Sequence, residues 1–250
     1  MPVVLFDGIH ECTVGLRDEG DEGLSRLATE LRQSGYTVRV ASDPDGLGAE
    51  SLQGIDVLVV AFPKRPLSKV ECDAVHAFVH RGGGLLLTAE WGNIFNNAAT
   101  LNQLTSPWGL TFNSDRIADP TESFGQSVLF QGQRIGSEKV PQFARITVFS
   151  PHPITRGITE VGHFSGCSLE GPEGTSLAWS SPSSFADMDG DARKSVEERR
   201  GPLITSVFTP ERGGRVVGIG DTSMLTNKHH AQADNAEFLR RIFSWLAGTL

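Results

Sequence analysis

Leu85-Leu86-Leu87-Thr88-Ala89-Glu90-Trp91-Gly92-Asn93 is an apolar run that ends on a carboxylate, an indole and a glycine. The run does not alternate, so it reads as a strand buried on both faces, as in a parallel sheet covered by helices. Neither cysteine nor serine stands at the turn that follows. The stretch therefore supplies a scaffold position where nucleophilic catalysis is often built, without the atom that would attack.

Upstream, three more strands are expected, two of them apolar runs and one alternating. Val3 to Phe6 is a short apolar strand, followed by a polar, Gly-rich loop over 8–21. Leu24, Leu27, Ala28 and Leu31 recur at helical spacing, and Gly35 stands where a helix stops. Tyr36 to Ala41 and Ile55 to Ala61 are the second and third strands. Ser68 with Glu71 has capping-box spacing, and Val75, Phe78 and Val79 give the next helix its apolar stripe. Gly82-Gly83-Gly84 ends it; because it precedes a strand, it cannot aim helix amides at a phosphate. Four strands alternating with helices over about 90 residues form the βαβ pattern of a doubly wound, mostly parallel α/β sandwich.

Downstream, the spacing predicts a helix over 94–104, then an insertion at about 106–142 made of loops and a small hairpin. Strands are expected over 143–149, 162–169, 175–180, 203–208 and 215–220, with a polar loop over 181–201. An amphipathic helix over 235–247 closes a single domain spanning 1–250.

The 250 residues carry a formal charge of −8. That balance disfavours nucleic acid and anionic membrane surfaces as partners. No apolar run approaches the roughly 20 residues needed to span a bilayer, so no membrane insertion is expected. The first strand is too short and too soon acidic for a signal peptide. Cys12, Cys72 and Cys167 lack metal-site spacing and read as reduced thiols in a cytoplasmic protein. Composition leaves a homo-oligomer open.

In an open parallel sheet, ligands bind beyond the C-terminal strand ends near the switch in strand order. The sequence places Asp7 and His10 there after the first strand, Glu90, Trp91 and Asn93 after the fourth, and Asp221, Ser223 and Asn227 after the last. Carboxylates and amides bond sugar hydroxyls, and an indole can stack on a sugar face. The plainer reading of the same residues is helix capping by Asp221 and Ser223 and a core role for Trp91. A second candidate is a calcium site: Asp187, Asp189 and Asp191 alternate, and Glu198 stands twelfth in the loop. Ala192 replaces the glycine of the sharp turn and the flanks are not helical, so a solvated acidic loop competes with it. No other cofactor is expected. Cys167 in Phe164-Ser165-Gly166-Cys167-Ser168 reads as a structural thiol, and His229-His230 as a solvated pair.

A set of ordered motifs resembles the GIFT-type domains of the class I glutamine amidotransferase-like superfamily. They are Asp56-Val57-Leu58-Val59-Val60 with Pro63, Pro66-Leu67-Ser68 with Glu71, Phe78-Val79 with Gly82-Gly83-Gly84, and His152-Pro153-Ile154-Thr155 with Gly157-Ile158. Gly201-Pro202, Gly214-Arg215-Val216-Val217 with Gly220-Asp221-Thr222-Ser223, Asn235 and Trp245-Leu246 complete them. Such domains occur in auxiliary proteins of gliding-motility ABC transporters and in an intraflagellar-transport subunit. The resemblance implies a flavodoxin-like sandwich that has lost the catalytic Cys and His. Glu90 falls where enzymatic relatives place the nucleophile, and Asp221 where they place the His-x-Glu tail. It further implies a non-catalytic binding or scaffolding domain that recognises a saccharide, another small polar ligand or a protein partner. The alternative is a hydrolase or isomerase using rim carboxylates, with or without metal.

Overall fold

The computed structural model describes residues 1–13, 15–42, 46–130, 133–210 and 214–250, with backbone alone for 127–130, 133–136 and 210. β1 (Val3–Asp7), β2 (Thr37–Ala41), β3 (Val57–Ala61) and β4 (Gly84–Thr88) lie parallel in the order β2-β1-β3-β4, and the late strand Arg215–Ile219 continues the sheet parallel to β4. The chain reverses its direction of travel between β1 and β3, which puts the switch point at their C-terminal ends. Antiparallel strands, beginning with Ile204–Pro210, extend the far side.

Alternate residues of each strand feed opposite cores. Val4, Phe6, Val57, Val59, Leu86 and Val217 pack with α1 (Ser25–Gln33) and α4 (Asn235–Leu246). Leu5, Leu58, Val60, Leu85, Leu87 and Val216 pack with α2 (Lys69–His80) and α3 (Asn97–Thr105). Each fully buried Leu, Val or Phe contributes about 1.5–3 kcal/mol relative to exposure. Local signals set the helix ends. Gly35 (φ +89°) ends α1 while the amides of Gly35 and Tyr36 donate to Arg32 and Leu31 carbonyls, the paired bonds of a left-handed stop. Ser68 and Glu71 form both halves of the capping box on α2.

Four sequence expectations change. The helix expected from Ile94 begins only at Asn97, because Gly92, Asn93, Phe95 and Asn96 adopt left-handed backbone. The hairpin expected within the insertion is larger: Ser123–Phe130 pairs with Gln133–Ile146, which runs on through the strand expected from 143. Val161–Phe164 adds to it, and the strand expected over 162–169 breaks at Ser165 (φ +64°), so that Leu169–Glu170 joins the main sheet instead. The loop expected over 181–201 contains a strand, Phe185–Asp187, paired with Arg116–Ala118.

Candidate functional site

Two carboxyls meet where β4 and Arg215–Ile219 end side by side. Asp221 is wholly buried; its Oδ2 accepts the Phe164 amide at 2.7 Å and its Oδ1 the Ser223 amide at 2.8 Å. Burial pushes its pKa up to about 7 even though those amides favour the charge. Glu90 opens the turn after β4: its amide donates to Asn97 Oδ1 (3.0 Å), and its Oε1 accepts the Ser223 hydroxyl (3.0 Å). Burial first, and the Asp221 charge second, hold Glu90 well above the ordinary carboxyl range. The pair titrates as a unit, since like charges so placed resist double ionisation.

The walls are tied together by hydrogen bonds. Thr88 and Thr222 hydroxyls lie 2.7 Å apart, and Thr222 donates to the Ala89 carbonyl (3.0 Å). The Cys167 amide donates to the Gly220 carbonyl at 2.8 Å; a Cβ on Gly220 would sit 1.9 Å from the Cys167 carbonyl oxygen, so only glycine permits this approach.

Trp91 is 36% exposed, and the Arg116 guanidinium stands 5.3 Å from its ring. Arg116 in turn donates to Asp187 Oδ2 (3.1 and 2.5 Å) and to the Gly190 carbonyl (2.6 Å). The indole is therefore a surface group braced by an ion pair, not core. Beyond it, Asn93, Phe95 and Asn96 hold φ of 52°, 52° and 60°, which is uncommon for non-glycine residues and strained for phenylalanine. Asn93 offsets part of the cost by accepting the Ala99 amide at 2.9 Å. Phe95, 63% exposed, meets Phe62 edge to face, and Lys64 lies over both rings.

Asp7 and His10 form a separate buried group at the end of β1. Asp7 accepts the Ile9 and His10 amides on Oδ1 and His10 Nδ1 on Oδ2 (2.8 Å), while His10 Nε2 lies 3.2 Å from Glu71 Oε1. Burial opposes a charge on His10, but the bond and charge of Asp7, joined by Glu71, outweigh it and raise the pKa. Glu71 was legible as a cap; its second role, receiving the Leu47 amide (3.1 Å) beside His10, had no local signal.

Asn227, expected at the rim, is structural. Its Oδ1 accepts the Arg26 amide and its Nδ2 donates to the Asp18 and Gly20 carbonyls, each within 2.9 Å, which spends the amide on tying the 15–24 loop to α1. In the acidic loop, Asp187, Asp189 and Asp191 each present an oxygen within 4.8 Å of the others. Glu198 is not in that group: its two oxygens accept the Met188 and Ser195 amides at 2.8 Å. A calcium ion there would compete with Arg116 for Asp187. Arg116 itself was missed by sequence reading, since its partner lies 71 residues away.

None of the three thiols is poised to attack. Cys12, Cys72 and Cys167 are buried and unpaired, and burial raises all three pKa values, those of Cys12 and Cys167 far above the ordinary thiol range. His163, near the Gly220–Asp221 turn, is buried and held neutral, its pKa lowered to about 4 by desolvation. His229 stacks on Phe164 with centroids 3.8 Å apart and is likewise lowered to about 4, by burial first, so it is not a solvated histidine.

Fold and site together define a glutamine amidotransferase-like, flavodoxin-like α/β sandwich whose strand-four turn carries a carboxyl and no thiol. The chain belongs to the family described as ABC-type uncharacterized transport system, whose pattern matches residues 13–240. Among solved structures it is similar to the mmIFT52 N-terminal domain (16% identity, 98% of this chain and 97% of that one, TM-score 0.74). It is also similar to a thuA-like protein from Bacteroides uniformis (12%, 98% and 91%, TM-score 0.55) and to a cytoplasmic protein from Salmonella typhimurium (12%, 98% and 99%, TM-score 0.59). At such identities the likeness is one of fold. No curated protein matches the chain. Among the described residues, no helix is long and apolar enough to cross a membrane.

Proposed function

We propose that this chain is a recognition domain: it uses the frame of a hydrolase to bind, and does not cut. The observation that carries the reading is the Glu90–Ser223–Asp221 arrangement at the strand ends, in a protein whose thiols are all buried, with pKa values raised by burial. One reachable carboxyl, Glu90, with a serine hydroxyl and an exposed indole suits a neutral, hydroxyl-rich ligand, a saccharide foremost. The same group suits a phosphate poorly. Unpaired, protonated thiols fit a reducing compartment such as the cytoplasm.

One observation favours a second reading, acid–base chemistry on the Glu90–Asp221 pair: both pKa values are raised. Against it, Asp221 is fully buried with an amide on each oxygen, so Glu90 alone reaches the surface. A thermal-shift panel of neutral mono- and oligosaccharides tests the proposal. A saccharide at 100 times its Kd adds about 2.7 kcal/mol, and Trp91→Ala removes that gain. A flat panel with the wild-type chain refutes saccharide recognition.

A further inference from the structure

The main sheet ends in β2, at the opposite end of the parallel run from the Glu90 rim. β2 is the terminal strand, and among the described residues it pairs only with β1. The Thr37 amide donates to Pro2 (2.9 Å) and the Gly8 amide to the Ala41 carbonyl (3.1 Å), which fixes the parallel register at both ends. Residues 37, 39 and 41 thus face β1, and the backbone N–H and C=O groups of Val38 and Val40 face outward. Outward N–H and C=O groups of this kind are a template for an added strand.

The groove beside that edge has a volume of about 540 Å³, and its walls include Leu16, Arg17, Arg32, Val38, Arg39 and Val40. Arg17, Arg32 and Arg39 are exposed, and among the described residues none has a carboxylate within 4.0 Å. Among the described residues Asp18 is the one acid in the wall, and its Oδ1 is engaged by the Gly20 amide at 2.9 Å. Three arginines around one strand edge are unexpected on a chain of net charge −8. Val40, 40% exposed, offers an apolar contact between them.

We infer that β2 and its arginine-lined groove dock an extended acidic peptide segment, which adds to the sheet as a new edge strand. Backbone bonds to Val38 and Val40 would supply the pairing, and Arg17, Arg32 and Arg39 would select acidic side chains. The site is independent of the Glu90 rim, from which β1 and β3 separate it.

The test is fluorescence anisotropy with a labelled, capped peptide of alternating Glu and Val, beside its Gln–Val and Lys–Val analogues. The Glu–Val peptide binds the full chain, binding weakens with added salt, and both analogues bind about tenfold more weakly or not at all. Arg17→Glu with Arg32→Glu, both on the surface, lowers affinity about tenfold. Val40→Pro removes an outward N–H without touching the β1 ladder and abolishes binding, with unfolding midpoints confirming that each variant folds. Equal binding of the Gln–Val peptide, or undiminished binding by the arginine variant, overturns the inference. So does a dimer in sedimentation that the arginine reversals dissociate, because the edge would then be taken by a second copy.

Discussion

Ser223 donates its hydroxyl to Glu90 at 3.0 Å and its amide to Asp221 at 2.8 Å, so one residue bridges the two carboxyls at the strand ends. The bridge lets a buried pair persist: each carboxyl keeps a hydrogen bond whichever one holds the proton.

The pair makes stability depend on pH with a definite sign. Both folded pKa values lie above the unfolded ones, Asp221 at about 7. The native state therefore binds more protons than the unfolded state between about pH 4 and 7, and stability falls as pH rises through that window. Glu90→Gln keeps an oxygen for Ser223 and removes the ionisation. Urea midpoints should show the variant less sensitive to pH than the wild type, and the more stable of the two at pH 8.

Asn227 is assigned to structure, and its replacement should show it. Asn227→Ala strips a buried amide from the Arg26 amide and the Asp18 and Gly20 carbonyls. A loss of about 2–4 kcal/mol in denaturant unfolding is expected, with saccharide affinity of the folded fraction unchanged. A drop in affinity alone, with no loss of stability, would return Asn227 to the rim.

The Arg116–Asp187 pair is nearly excluded from solvent, at 8% and 2% exposure. Arg116→Met leaves a buried carboxylate without its counter-ion, held only by the Gly190 and Ala192 amides, and should cost about 3–5 kcal/mol at pH 7. Arg116→Met with Asp187→Leu should recover much of that loss. Calcium gives an independent check: because Arg116 already neutralises Asp187, millimolar calcium should leave the wild-type melting temperature unchanged, and a clear rise would establish a cation site at Asp187, Asp189 and Asp191.

Thiol chemistry should follow burial. Ellman's reagent at pH 8 should find none of the three cysteines quickly in the native chain and all three in denaturant. One fast native thiol would reopen nucleophilic catalysis.

The parallel half of the fold was legible because its signals are local: unbroken apolar runs, the Ser68–Glu71 box and Gly35 each act within a few residues. The meeting of Glu90 with Asp221 followed from topology, since parallel strands bring their C-terminal ends together. What escaped depends on distant partners. Phe185–Asp187 is too short to announce itself and is fixed by pairing with Arg116–Ala118. The late start of α3 escaped because Asn93, Phe95 and Asn96 take left-handed backbone without a glycine at those positions to signal it. Asn227 lies just past a strand end, as rim residues do, and only coordinates reveal that its amide points back at α1.

The most direct test of recognition without turnover is saturation-transfer NMR on a neutral saccharide panel, followed for a day in one sample with the wild-type chain. The account predicts transfer from protein to at least one sugar, loss of that transfer in Trp91→Ala, and no new resonances over the whole period. Product signals that grow with time in the wild type and vanish in Glu90→Gln would contradict it.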